Sequence, residues 1–74
     1  MAYDYSKLLG RIIEKYGSQG EFAKAMGVSE RTMSLKLTNK VAFKQTDITA
    51  ACEKLDIEDN DIPSYFFKLK VQFA

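Results

Sequence analysis

Arg31, Lys36, Lys40 and Lys44 stand within residues 30–46 against a single carboxylate, Glu30, for a net charge of +3. A guanidinium and three ammonium groups in so short a stretch suit phosphate oxygens. The next stretch reverses the sign. Residues 47–61 hold Asp47, Glu53, Asp56, Glu58, Asp59 and Asp61 against Lys54, a net of −5. The total of +1 over 74 residues therefore conceals a basic centre, expected to face phosphate, and an acidic segment turned away from it.

Other chemistries lack their groups. Histidine is absent and Cys52 is the single cysteine, so a zinc site, a histidine-dependent triad and an internal disulfide are all unsupported. The carboxylates at 56–61 do not follow the ligand series of a calcium loop, and no glycine-rich phosphate loop occurs. Neither an enzyme, a cofactor nor a small-molecule substrate is expected. There is no run of eighteen apolar residues and no basic-then-apolar leader, so no membrane partner is expected and the cytoplasm is the expected location.

Short helices must position the basic groups. Asp4 is expected to cap a first helix in which Leu8, Leu9, Ile12, Ile13 and Tyr16 face the core, with Gly17 as its stop. Ser18-Gln19-Gly20-Glu21 has the form of a capping box, and Phe22, Ala23 and Met26 give the second helix its buried face. Ser29 caps a third helix with Met33 and Leu37 inward, ending at Thr38 or Asn39. Thr46 is the expected cap of a fourth, whose apolar stripe is Ile48, Ala51, Cys52 and Leu55, with Ile57 beyond. Cys52 on that stripe reads as a buried thiol. Ile62 to Tyr65 fits a turn or a short helical turn. The fold class is an all-α domain of four to five helices over residues 1–61, followed by a tail at 62–74 that ends in an extended segment.

The stretch from Gln19 to Asn39 is the most informative. Ala23 is small where two helices would cross closely. Gly27 permits a positive backbone dihedral at a sharp turn, Val28 can plug the corner, and Ser29 restarts the helix. This is the form of a helix-turn-helix, which places its second helix to enter the major groove of DNA.

On Gln19, Phe22-Ala23, Met26-Gly27-Val28-Ser29 and Thr32-Met33-Ser34, with Ile48 and Leu55-Asp56-Ile57 later, the chain resembles helix-turn-helix regulators of the Cro and phage-repressor type. Lys36 departs from that class, where an apolar residue is usual, and so does Asn39, where glycine is commoner. The resemblance implies a repressor of a phage or prophage promoter whose partner is a double-stranded DNA operator. It puts Glu30, Arg31, Ser34 and Leu35 at base-contacting positions, and Gln19, Thr38, Lys40 and Lys44 at phosphate-contacting ones. Arg31 can donate twice to guanine, Ser34 can donate or accept, Leu35 can touch a thymine methyl, and Glu30 can accept from cytosine. Leu35 alternates with Met33 and Leu37, so a place in the core stays open for it.

One recognition helix reads few base pairs, so a weak homodimer is expected. Phe67, Leu69, Val71 and Phe73 alternate with Lys68, Lys70 and Gln72 and would form one apolar strand face. The chain shows no second strand to pair with it, which points to the same strand of another subunit. Burial of that face within the monomer is the alternative. A second function class is also open: a protein-interaction module, an antirepressor or adaptor, using the same fold.

Overall fold

In the computed structural model residues 2–71 are described, and they form five α-helices. Helix α1 (Ser6–Tyr16) starts two residues after the expected cap, Asp4, with Tyr5 in the cap position. Asp4 does not cap it in the usual way. Its carboxylate accepts from the Ser6 amide at 2.9 Å and the Ser6 hydroxyl at 2.6 Å, a local turn that leads the chain into the helix. Leu8 and Ile12 are buried, but Leu9 and Ile13 remain 38% and 46% exposed, contrary to the expectation that all would face inward. Neighbours in a helix differ by about 100°, so these five apolar positions cover a wider arc than one packed face. The flank of α1 that receives further cover carries Lys7, bonded to Ser64, and Arg11, bonded to the Leu55 carbonyl.

Helix α2 (Gln19–Met26) begins as expected, with the Ser18 hydroxyl accepting from the Glu21 amide at 3.1 Å. The Glu21 carboxylate faces Lys24 at 3.4 Å. Gly27 ends the helix at φ 74°, and Val28, half-buried, donates its amide to the Ala23 carbonyl at 3.0 Å. Ser29 then caps α3 (Glu30–Leu37) by accepting from the Thr32 amide at 3.1 Å. Beyond Thr38, Asn39 takes a positive φ of 67°, a conformation that asparagine tolerates better than most residues.

Helix α4 (Gln45–Leu55) starts one residue before the expected cap, Thr46, which is exposed on its first turn. The capping group is the carboxylate of Asp47, which reaches back to the Lys44 amide at 2.8 Å. A 3-10 turn (Asp59–Asp61) leads into α5 (Ile62–Phe66), with Pro63 in its first turn, where the missing amide leaves no helical bond unmade.

Phe66 is 2% exposed and lies in the core with Leu8, Ile12, Phe22, Ala23, Met33, Ala51, Cys52, Leu55 and Ile57. Phe43, from the α3–α4 connection, stacks edge-on between Phe66 and Tyr5, with ring centroids 5.4 and 5.2 Å away.

The extended segment after α5 is not a lone strand. Tyr3 and Leu69 form an antiparallel bridge, flanked by bonds from the Asp4 amide to the Lys68 carbonyl (2.6 Å) and from the Lys70 amide to the Ala2 carbonyl (3.0 Å). The partner strand is the N-terminal segment, too short to show any periodicity in the sequence. Phe73 lies outside the described residues.

Lys36 resolves its departure from the resemblance. Its side chain is buried, the residue only 7% exposed, and its ammonium meets the Asp47 carboxylate at 2.5 Å. The same ammonium lies 5.8 Å from the centroid of the Phe43 ring. An apolar position is thus occupied by an apolar stem whose charge is neutralised at the start of α4.

Candidate functional site

The turn between α2 and α3 sets where α3 presents its outer face. Glu30, Arg31 and Ser34 are exposed on that face, and Leu35 is half-buried, neither in the core nor fully open. Thr38, Lys40 and Lys44 follow as exposed residues on the end of α3 and the connection to α4. Among the described residues Arg31, Lys40 and Lys44 make no ion pair. Together they offer one planar donor fork and two mobile point charges to an anionic surface.

Two of the expected contacts are engaged internally. The Glu30 carboxylate points back over the start of α2: a Cβ added at Gly20 would lie 3.3 Å from Glu30 Oε2. There the carboxylate sits beside the positive end of the α2 dipole. Glu30 and the half-buried Gln19 line one shallow cavity of about 430 Å³, with Lys24, Val28 and Ser29 on its walls. The Thr38 hydroxyl donates to the Ser34 carbonyl at 2.8 Å and lies 3.3 Å from that of Leu35, so its proton is held in the end of α3. Ser34, by contrast, keeps an exposed hydroxyl.

Asp47 ties this face to the rest of the domain. Burial opposes its ionisation, but the bonds from the Lys36 ammonium and the Lys44 amide outweigh that, holding its carboxyl below the usual carboxylate range. One carboxylate thereby joins the buried side of α3 to the first turn of α4 and orders the Lys44 backbone. The sequence flags Lys36 as unusual but gives no sign of its partner eleven residues on.

Burial, and then the nearby Asp59, push the Cys52 thiol up, which keeps it protonated and unreactive. Among the described residues no group of three or more carboxylate, cysteine or histidine ligands could hold a metal ion. Among the described residues no helix is long and apolar enough to cross a membrane.

The residues expected to pair two subunits lie apart from α3 in sequence and by element. Phe67, Leu69 and Val71 are all exposed, Val71 at 72%. Tyr3 packs edge-on against Phe67, with centroids 6.0 Å apart. Sequence reasoning missed Asn39 as a bracing residue: its side-chain amide donates to the Tyr3 carbonyl at 2.9 Å and accepts from the Tyr3 amide at 2.8 Å. It acts as a one-residue strand against the N-terminal segment.

Among solved structures, the chain is similar to the modulator of repression (MOR) of the temperate bacteriophage TP901-1 from Lactococcus lactis. The likeness covers 97% of each chain, at 56% sequence identity and a TM-score of 0.82. Curated proteins give no match. Residues 1–69 match the family described as a protein of unknown function, DUF739. With the match running over nearly its whole length, the chain belongs to the DUF739 family.

Proposed function

We propose that this protein is a regulator in the repression circuit of a temperate phage, acting in the cytoplasm, and that α3 engages double-stranded operator DNA in a sequence-dependent way. The observation that carries this reading is the set of Arg31, Lys40 and Lys44, exposed beside the outer face of α3 and without an ion pair among the described residues. Read as a helix-turn-helix, α2 lies across the backbone and α3 enters the major groove. Arg31 then donates to a guanine edge and Ser34 to a neighbouring base, while Lys40 and Lys44 meet phosphates. Glu30 does not read a base while its carboxylate stays over Gly20, and Thr38 contributes packing at the helix end rather than a donor. Selection of bound sites from random duplexes tests the reading. A shared motif that Arg31→Ala degrades at one position supports it; recovery of no motif at low salt counts against it.

A second reading is favoured by a separate observation. A relative with 56% identity is named for modulating repression, which describes an action on a repressor's output and is met equally well by binding the repressor protein. The modest charge of the chain and the internal engagement of Glu30 and Thr38 lower its intrinsic grip on DNA. In this reading the target is the repressor, and the exposed apolar side chains Leu9, Ile13, Phe67 and Leu69 supply contact area. Titrating labelled protein with purified repressor in the absence of DNA separates the two: saturable binding there, with none to duplex, selects the second.

A further inference from the structure

Tyr3 and Leu69 are the pair between two flanking hydrogen bonds, so their own amides and carbonyls point away from each other. On one side the Asn39 side chain takes both groups of Tyr3. On the other, among the described residues, neither the amide nor the carbonyl of Leu69 has a partner. One edge of this small ribbon is closed and the other is open.

The side chains along the open edge have two characters. Phe67, Leu69 and Val71 are exposed apolar groups, and Lys68 and Lys70 are exposed cations between them. Side chains alternate across an extended segment, so the lysines share the opposite face from Leu69. A second copy of this chain is a poor occupant. Among the described residues, an antiparallel register that bonds Leu69 to Leu69 or Val71 of the other copy sets Lys68 or Lys70 of one copy directly across from Lys68 or Lys70 of the other. Like charges opposite one another are destabilising. The strand already in place shows the favoured chemistry: Asp4 stands directly opposite Lys68. Bonds from Ser6, and to a smaller extent the charges of Lys68 and Lys70, lower the pKa of that carboxyl.

We propose that this open edge binds an extended segment of another protein in which carboxylates alternate with apolar residues. The segment adds as a strand beside residues 68–71, just past Phe67, whose amide closes α5 on the Pro63 carbonyl. Its backbone bonds the Leu69 amide and carbonyl, its carboxylates face Lys68 and Lys70, and its apolar side chains extend the Phe67–Leu69 face. The inference is independent of α3 and of any DNA contact.

The probe is a capped seven-residue peptide alternating glutamate and valine, compared with its lysine–valine counterpart. Amide shifts and hydrogen exchange of Leu69 are followed by NMR in the full chain. The glutamate peptide should shift and protect the Leu69 amide, and the lysine peptide should do neither. Lys68→Glu with Lys70→Glu should weaken the glutamate peptide by about tenfold and admit the lysine peptide. Leu69→Pro removes the outward amide without touching either bond to Ala2 or Asp4, and should abolish binding while those two bonds persist. Equal effects of both peptides, no effect of either, or protection of Leu69 that rises with protein concentration alone would overturn the proposal, the last in favour of a homodimer.

Discussion

Replacing Asp47 by alanine should be among the most destabilising single changes in this protein. The carboxylate neutralises a lysine that is 7% exposed, at 2.5 Å, and also caps α4 through the Lys44 amide at 2.8 Å. Breaking a buried pair from one side costs about 3–5 kcal/mol because the remaining charge is left uncompensated. The Asp47 side chain keeps 22% of its exposure, so water reaches the pair and the lower end of that range applies. Loss of the cap adds about 1 kcal/mol. A domain of this size has roughly 4–11 kcal/mol in total, so Asp47→Ala should lose about 4 kcal/mol and a large part of its stability. Lys36→Met should behave differently. It keeps the buried stem, removes the desolvated charge and leaves Asp47 free to cap, so its effect should lie within about 1 kcal/mol of zero or be stabilising. The double variant should recover most of the Asp47→Ala loss. Urea unfolding followed by circular dichroism gives all three values. If Asp47→Ala costs less than about 1 kcal/mol, or the double variant recovers nothing, the pair does not hold α3 to α4 in the way described.

Acid should weaken the fold through the same group. Asp47 has a lowered pKa when folded, as do the exposed Asp4 and Asp56 through Ser6 and Lys15, so the stabilisation is present above the unfolded carboxylate value and is lost as pH falls through the folded one. Urea midpoints should therefore drop below about pH 4, and Asp47→Asn should flatten that drop; an unchanged acid limb in this variant would remove Asp47 as its source. Gly27→Val should cost about 1–2 kcal/mol or more, since φ is 74° there and a Cβ would meet no atom within 4 Å, leaving backbone strain as the cause; a variant with wild-type melting would show that the turn relaxes freely.

The caps of α2 and α3 and the glycine between them were the most legible features in the sequence, whereas Asp4 and Thr46 did not cap as expected. Ser18, Gly27 and Ser29 act over three or four residues, so their roles follow from local spacing alone. Leu9 and Ile13 were not legible in the same way. Periodicity defines an apolar stripe on α1, but which part of it is covered depends on where other elements land. Phe43, Phe66 and Tyr5 meet only because the chain returns on itself, and the strand partner of Leu69 is three residues near the other terminus. At the candidate site, the exposure of Arg31 followed from its place at the front of α3. The backward turn of Glu30 did not, because it depends on the open space that Gly20 leaves across the α2–α3 corner.

The most direct test of the α3 reading is duplex binding measured by fluorescence anisotropy over a range of salt, for wild type, Arg31→Ala and Lys40→Ala. Wild type should bind saturably, more tightly to selected than to scrambled duplex. Arg31→Ala should lose about 1–3 kcal/mol on the selected sequence and little on the scrambled one. Lys40→Ala should weaken both alike and reduce the salt slope by about 0.9. Wild-type protein that shows no saturable duplex binding at low salt, yet binds purified repressor, would contradict the assignment of α3 to DNA.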